Sequence, residues 1–180
     1  KTLFHQCSRM MMSVQRLPVP VMAVVDGIAT AAGCQLVAMC DLAVASQTSK
    51  FAVSGVNLGL FCATPSVALS RNLSRKAAFE MLVTGDFISA EQALVKGLVN
   101  SVVPSAELEA MQSVYVSSIL AKPQKAIAIG KKLFYEQLEQ PIEAAYLNAE
   151  NAMACNMMDN SALEGVQAFI EKRKPNWSST

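Results

Sequence analysis

Residues 18–45 read PVPVMAVVDGIATAAGCQLVAMCDLAVA and decide how the middle of the chain folds. The apolar run 21–25 is closed by an Asp-Gly pair, which predicts a strand buried on both faces. The small apolar residues of 29–39 contain no turn residue after Gly33, so they predict a loop leading into a buried helix. A second buried strand is expected at 42–45. The stretch therefore predicts an α/β fold in which a helix starts directly after a strand.

Composition limits the kind of protein this can be. The chain has 180 residues, of which 52% are hydrophobic and 16% charged, enough for one substantial core and rich enough in apolar residues to indicate a surface covered by partners. A net charge of +1 gives no broad basic field, so we expect no nucleic-acid partner. Charged and polar residues interrupt every long apolar run, so we expect no membrane span.

Side chains able to bind metals or act as nucleophiles are few. The five cysteines include no C-x-x-C pair, which favours reduced thiols in cytosol or mitochondrial matrix over a disulfide framework. Cys34 lies near a helix start that would lower its pKa, but thiols in apolar runs are usually inert. His5 is the only histidine and falls on the polar side of a first helix. Neither a Ser-His-Asp arrangement nor a metal site is expected.

Helix signals organise the rest of the chain. Apolar residues at helical spacing predict a helix that ends before Pro18, residues 46–66 predict a long surface loop broken by short strands, and helices are expected from about residue 74. A last short strand is expected at 98–103. The predicted caps are capping boxes at Ser89 with Gln92 and at Ser161 with Glu164, an N-cap at Ser105, C-caps at Gly85 and Gly97, and helix starts at Pro123 and Pro141.

The loop 26–35 contains the predicted chemistry. Its small residues allow a ligand to approach the backbone N–H groups that a helix start leaves unbonded. If the ligand is a thioester, such an N–H can hold the carbonyl oxygen as it gains negative charge, which contributes roughly 10²–10³ in rate per donor elsewhere. From the residues alone, the alternative that small residues only allow the helix to pack tightly on the sheet stays open.

Three motifs together resemble one known family. Residues 19–45 resemble the crotonase (enoyl-CoA hydratase/isomerase) pattern K-P-x-I-A-A-V-x-G-x-A-x-G-G-G-x-E-L-A-x-x-C-D-x-x-x-A. Residues 84–99 resemble its T-G-x-x-I-x-A-x-x-A-x-x-x-G-L-V, and residues 169–175 resemble its F-x-E-K-R-x-P ending. The variants ATAAGCQ at 29–35 and VNLGLFC at 56–62 narrow the resemblance to one mitochondrial subgroup.

The resemblance implies a fold, a ligand and an assembly. The fold would be the C-terminal part of a ββα spiral core over residues 1–104, followed by an α-helical trimerisation region over 105–180. The ligand would be an acyl-CoA thioester, with coenzyme A as part of the substrate and no separate cofactor, in fatty-acid and lipid metabolism. We expect a homotrimer or hexamer located in mitochondria. The sequence opens on Lys1 inside an amphipathic pattern, so we expect a fragment without its targeting segment. The other half of the family's oxyanion hole comes from an earlier segment, A-F-x-A-G-x-D, which these residues do not contain.

The resemblance also assigns site residues. The amide that binds the thioester oxygen falls on Ala32. The substrate contacts fall on Ala29, Ala31, Gly33, Phe61 and Cys62, with Thr64 and Cys34 as further side chains that can face the ligand. Lys172 and Lys174, with Arg173 between them, would meet CoA phosphates, although a charged helix end is more often simply solvated.

The family's two catalytic glutamates fall on Gln35 and Gly55. Neither is a carboxylate, and residues 56–63, where family isomerases carry their acid, contain none either. A glutamine amide does not ionise usefully and glycine has no side chain, so acid–base catalysis by this pair is excluded. Asp26 and Asp41 are nearby in sequence, but their positions favour structural roles.

Three functional interpretations remain open. The first is an enzyme that stabilises a thioester enolate without a protein base, as in a decarboxylation. The second is a non-catalytic family member that binds acyl-CoA or a protein partner and regulates lipid metabolism. The third is a weak enoyl-CoA hydratase, which the replacement of both glutamates disfavours.

Overall fold

The computed structural model describes residues 1–177, which form two compact units. The first contains residues 1–15 and 21–115, and the second contains residues 16–20 and 116–177. The division falls inside a helix, Leu108–Leu120. The predicted boundary at 104/105, between a spiral core and a region that packs subunits together, stays a prediction.

Short strands alternate with helices in the first unit. Its elements are α1 Thr2–Arg16, β1 Met22–Val25, β2 Ile28–Thr30, α2 Ala32–Met39, β3 Leu42–Ser46, β4 Lys50–Ala52, a 3₁₀ segment Ser54–Leu58, α3 Ala63–Asn72, α4 Arg75–Thr84, β5 Ile88–Ser89, α5 Ala90–Lys96, β6 Ser101–Val103 and a second 3₁₀ turn Ser105–Glu107. The helix α6 Leu108–Leu120 follows, then α7 Gln124–Gln137, α8 Ile142–Met157 and α9 Asn160–Ile170. The predicted alternation of strand and helix is confirmed.

Two three-stranded sheets organise the first unit. One has the order β1-β3-β6 and is parallel throughout; the other has the order β2-β4-β5, with β2 parallel and β5 antiparallel to β4. The prediction that β1 is buried on both faces is wrong for the part of the chain described, because Val24 is 42% exposed. In these residues β1 is an edge strand, whereas the central β3 has the expected buried run.

The segment 46–66 differs most from its prediction as a surface loop. Phe51 and Val53 are fully buried, and the hydroxyls of Ser46 and Ser49 bond to each other at 2.9 Å. The Ser49 hydroxyl also donates to the Val25 carbonyl at 3.0 Å, so buried hydroxyls bond to the end of β1. Pro65 lies in the first turn of α3, where a missing N–H leaves no hydrogen bond unmade. Helical structure therefore resumes near residue 63, earlier than predicted.

Helix caps show where local sequence signals suffice. Ser89 and Gln92 form both bonds of a capping box, and Gly85 and Gly97 end their helices at φ 67° and 84°, as predicted. The capping box at Ser161 is wrong, because Asp159 is the N-cap of α9. The Ser105 hydroxyl donates to Asp26 instead of capping a helix. Ser161 lies inside α9, after the Asp159 cap, and the 3₁₀ turn at Ser105 begins after Pro104, so neither serine occupies a cap position.

The connection between β2 and α2 is a one-residue turn. Ala31 has φ 49° and ψ −117°, a conformation that suits glycine and strains a residue with a Cβ. Its N–H donates to the Ala52 carbonyl at 3.0 Å, which continues the β2–β4 pairing by one residue. The pairing with β4 and the helix start thus hold Ala31 in the strained conformation from both sides.

The second unit contains packed helices with a large exposed apolar surface. α7, α8 and α9 contact one another, and the Trp177 indole N–H donates to the Ala121 carbonyl at 2.9 Å. The apolar stripe predicted for α9 is on the surface, together with side chains from α7 and α8. At least half exposed are Phe134, Leu138, Ile142, Tyr146, Leu147, Met153, Met157, Leu163, Phe169 and Ile170.

The strain at Ala31 generates a stability prediction. We expect Ala31→Gly to raise the free energy of unfolding by about 1 kcal/mol, because relief of about 1–3 kcal/mol of backbone strain exceeds the roughly 0.5–1 kcal/mol entropic cost of glycine. Urea denaturation followed by circular dichroism measures the change. The matched control is Ala32→Gly, the same substitution one residue later in helical conformation, which should lower stability by up to about 1 kcal/mol. Equal losses in both variants would contradict strain at Ala31.

Candidate functional site

The start of α2 presents backbone N–H groups directly after the strained turn. The first intrahelical bond runs from the Gln35 N–H to the Ala31 carbonyl at 3.0 Å. The amides of Ala32, Gly33 and Cys34 precede that bond, so the helix itself provides no acceptor for them. A Cβ built on Gly33 would meet no atom within 4 Å. This helix start therefore combines donors with open space beside them, the geometry that a developing oxyanion requires.

Gln35 is a buried polar group on the same turn of α2. Its side chain is 4% exposed, and its amide oxygen meets no protein donor. A buried acceptor without a donor costs on the order of 1–3 kcal/mol, which a hydrogen-bonding ligand or water offsets. Helical side chains lean back over the preceding turn, so the Gln35 amide belongs to the same end of α2 as the Ala32 N–H. The amide is neutral, so the site can accept a hydrogen bond here but cannot take up a proton.

Gly55 lies in the 3₁₀ segment, where neighbouring atoms fill the space of any side chain. A Cβ on this residue would lie 2.6 Å from the Leu60 carbonyl oxygen and 2.7 Å from the Cys62 sulfur. The Leu60 N–H also donates to the Gly55 carbonyl at 2.9 Å, and the Gly55 N–H donates to the Cys62 sulfur at 3.3 Å. The segment 55–62 is thus folded tightly over a residue that has to be glycine.

Hydrogen bonds bring the α2 start and the 3₁₀ segment together. β2 pairs with β4 in parallel, with Thr30 opposite Ala52, so Ala31 and Val53 leave the two strands side by side. The Thr30 and Ser54 hydroxyls are 3.4 Å apart. Sequence reasoning missed Thr30, Ala52 and Ser54, because no local signal indicated that this three-residue strand pairs with β2. They join the two segments that carry the predicted site residues.

Cys34 lies in the apolar interior that its sequence surroundings predict. It is fully buried, and burial raises the pKa of its thiol to about 12. Cys62 packs against the buried apolar cluster to which Cys34 belongs. Cys62 itself is partly exposed and ends the folded segment that covers Gly55. All five cysteines are free thiols.

The other predicted site residues divide between the two units. Ala29 is buried opposite Phe51 in the β2–β4 pair, and Phe61 is 52% exposed beside Cys62. Lys172 and Lys174 lie beyond α9 in the second unit, both exposed. Arg173, between them, is bound to Glu164 at 2.6 and 2.9 Å and to Glu171. These hydrogen bonds lower the pKa of Glu164 to about 2, so Arg173 is already engaged with carboxylates.

The two aspartates considered as alternative catalysts accept hydrogen bonds from other parts of the chain. Asp41 accepts the Val21 N–H at 2.6 Å, and Asp26 accepts the Ser105 hydroxyl at 3.0 Å. His5 is exposed on α1. Within residues 1–177, no three His, Cys, Asp or Glu side chains cluster as metal ligands, and no helix has the length and apolar character needed to cross a bilayer.

Comparison with known proteins places this geometry in a family. Residues 2–180 match the model of the enoyl-CoA hydratase/isomerase family. Enoyl-CoA hydratase domain-containing protein 3, mitochondrial, of Mus musculus is 51% identical over 176 residues, covering 98% of this chain and 59% of the relative. Crotonyl-CoA hydratase of Syntrophomonas wolfei is 33% identical over 170 residues, covering 92% of this chain and 64% of the relative. The chain therefore spans about three fifths of the length of these curated relatives.

Solved structures agree with the sequence comparison. The crystal structure of an enoyl-CoA hydratase from Mycobacterium smegmatis has a TM-score of 0.97 at 63% identity, covering 98% of this chain and 69% of that one. The human enoyl-CoA hydratase domain-containing protein 3 has a TM-score of 0.93 at 50% identity, covering 97% and 69%.

These matches confirm the predicted crotonase-type α/β fold. The mitochondrial subgroup that residues 29–35 and 56–62 resemble is the enoyl-CoA hydratase domain-containing protein 3 group. The similarity to members of that group over nearly the whole chain confirms this narrower resemblance. Its vertebrate members are named mitochondrial. A match over nearly the whole chain, in sequence and in structure, leads to one conclusion: the chain belongs to the enoyl-CoA hydratase/isomerase family.

Proposed function

We propose that this protein binds an acyl-CoA thioester and stabilises its enolate through a backbone oxyanion hole, without ordinary hydratase activity. The observation that carries the proposal is the α2 start, where the Ala32 N–H precedes the first intrahelical bond and the residue one turn on is an uncharged, buried glutamine. An amide there stabilises negative charge on the thioester oxygen, and the partial positive charge of the helix N-terminus adds to it. The second half of the hole is proposed to come from a family segment outside these residues.

The loss of hydratase chemistry follows from residues 35 and 55. Hydration needs groups that activate a water and deliver a proton, and these groups contribute about 10²–10⁴-fold each in other enzymes. Gln35 does not ionise usefully, and the space beside Gly55 is filled by the Leu60 carbonyl and the Cys62 sulfur. The site can still support enolate chemistry that needs no protein base, such as loss of CO₂ from a malonyl-type thioester.

The main alternative is a non-catalytic member of the family that binds acyl-CoA or a protein partner and regulates lipid metabolism. It is favoured by the same uncharged pair of positions, since binding requires the amides but no proton transfer. A weak hydratase is the second alternative, supported by the names of relatives such as crotonyl-CoA hydratase.

The location of the protein and its oligomeric state are also proposals. We propose mitochondria, from the names of the vertebrate relatives, and a homotrimer or hexamer whose contacts cover the apolar surface of α7–α9. Lys172 and Lys174 are proposed to meet CoA phosphates. A stable monomer in light scattering of the full-length protein would contradict the assembly.

The absence of both glutamates generates a prediction for the rate of crotonyl-CoA hydration. Purified full-length protein should hydrate crotonyl-CoA about 10²–10⁴-fold more slowly than a family hydratase with both glutamates, because the acid–base groups are missing. Loss of the conjugated double bond, followed by ultraviolet absorbance, measures the rate. A two-glutamate hydratase prepared in parallel is the control, and equal turnover would refute the argument from Gln35 and Gly55.

Binding and catalysis are separated by a titration. Isothermal titration of full-length protein with butyryl-CoA and malonyl-CoA should give saturable heat for both thioesters, because the oxyanion hole recognises the carbonyl oxygen that they share. Mass spectrometry of the mixtures then shows whether acetyl-CoA forms from malonyl-CoA. Product formation favours the enolate-stabilising enzyme, binding without product favours the regulatory alternative, and absence of binding removes the oxyanion proposal.

The packing over Gly55 is tested by adding one methyl group. Gly55→Ala should lower the free energy of unfolding by about 1–3 kcal/mol, the usual cost of forcing extra volume into a filled site. Gly33→Ala is the matched control, because its Cβ meets no atom within 4 Å and its φ is not positive. Chemical denaturation of both variants provides the comparison. Similar stabilities would show that the segment 55–62 opens easily and that a side chain at residue 55 is tolerated.

A further inference from the structure

The Cys62 sulfur occupies the space in which a side chain at residue 55 would begin. It accepts the Gly55 N–H at 3.3 Å and would lie 2.7 Å from a Cβ on that residue. The thiol is partly exposed, unlike the fully buried Cys34. A free thiol thus lies at one of the two positions to which the family resemblance assigns a carboxylate.

A second observation indicates that the neighbouring α2 helix takes a hydrogen-bonding ligand. The Gln35 amide oxygen is buried and has no protein donor, so the site is incomplete without a hydrogen-bonding partner. Gln35 follows Cys34 in α2, and Cys62 packs against the apolar cluster that contains Cys34. The hydroxyls of Thr30 and Ser54 are in contact next to the α2 start. The unpartnered oxygen is therefore on α2, and the thiol is on the segment that runs beside the start of that helix.

We propose that Cys62 is a nucleophile that captures 2-enoyl thioesters by conjugate addition. This inference rests on the proposed function, because the Ala32 N–H must polarise the thioester carbonyl and so make C3 electrophilic. The Cys62 sulfur forms a bond to C3, the C2=C3 electron pair moves onto the thioester as an enolate, and the thiol proton ends on C2. The product is a thioether between the protein and the intact acyl-CoA, and no further reactant is needed.

The other cysteines differ from Cys62 in ways that make the reaction selective. The raised pKa of the buried Cys34 thiol keeps it protonated, and thiolate is the attacking form. Cys155 is the exposed thiol among the five, and it lies on α8, whereas α2 belongs to the other unit. Non-specific alkylation by an electrophile would therefore favour Cys155, whereas alkylation directed by a bound thioester would favour Cys62.

The experiment incubates full-length protein with crotonyl-CoA, quenches it in acid and measures intact mass, followed by peptide mapping. We expect a mass increase of one crotonyl-CoA per chain on the peptide that contains Cys62. Saturated butyryl-CoA forms no adduct, and in excess it should slow adduct formation by competing for the site. Cys155→Ser should keep the adduct, and Cys62→Ser should lose it. Circular dichroism of both variants verifies that they are folded.

The outcomes separate this inference from the function on which it rests. Butyryl-CoA binding by calorimetry together with an adduct on Cys62 supports both. Butyryl-CoA binding with no adduct, or with an adduct on Cys155, overturns the role of Cys62 and leaves the proposed acyl-CoA site intact. Absence of butyryl-CoA binding overturns the proposed function, and an adduct formed without such binding shows plain thiol reactivity and overturns the directed capture as well.

Discussion

The hydrogen bond from the Ala31 N–H to the Ala52 carbonyl is the constraint on which the candidate site depends. It extends the parallel β2–β4 pairing one residue past the end of β2. The chain then has only one residue in which to change from a strand to a helix, and Ala31 takes a conformation that an L-residue avoids. The same pairing makes residues 53–55 leave β4 beside this turn. A single strand register therefore sets the direction of the α2 amides and the position of the segment that faces them.

The site that results combines donors with neutral side chains. The α2 start provides backbone N–H groups, while Gln35 and Gly55 place no charge at the two positions where the family resemblance expects carboxylates. Backbone donors stabilise negative charge on an oxygen without exchanging protons, so their effect varies little with pH. The enolate stabilisation proposed for the protein has the same character, because it relies on amides. Addition by the Cys62 thiol differs, because the thiolate is the attacking form and its population depends on pH.

Local signals in the sequence predicted much of this fold. The helix ends at Gly85 and Gly97 and the capping box at Ser89 depend on residues within one turn of each other, and all three are found. The segment 46–53 was misjudged because its Ser and Thr residues look solvated, whereas Ser46 and Ser49 bond each other and the backbone in the interior. Ser161 was misjudged because Asp159, two residues earlier, is the stronger cap. The role of Ala32 comes from the motif and stays a prediction. The strain at Ala31 depends on its hydrogen bond to the distant Ala52, and the crowding at Gly55 depends on the Leu60 carbonyl and the Cys62 sulfur, none of which a motif describes.

The packing over Gly55 also constrains how such a protein can change over evolutionary time. The Leu60 carbonyl and the Cys62 sulfur occupy the space next to this residue, so a substitution that introduces a carboxylate at residue 55 meets these atoms before it can provide any chemistry. The segment 55–62 would have to be remodelled first, by substitutions that bring no catalytic benefit of their own. The packing therefore makes a carboxylate at this position difficult to gain through single substitutions.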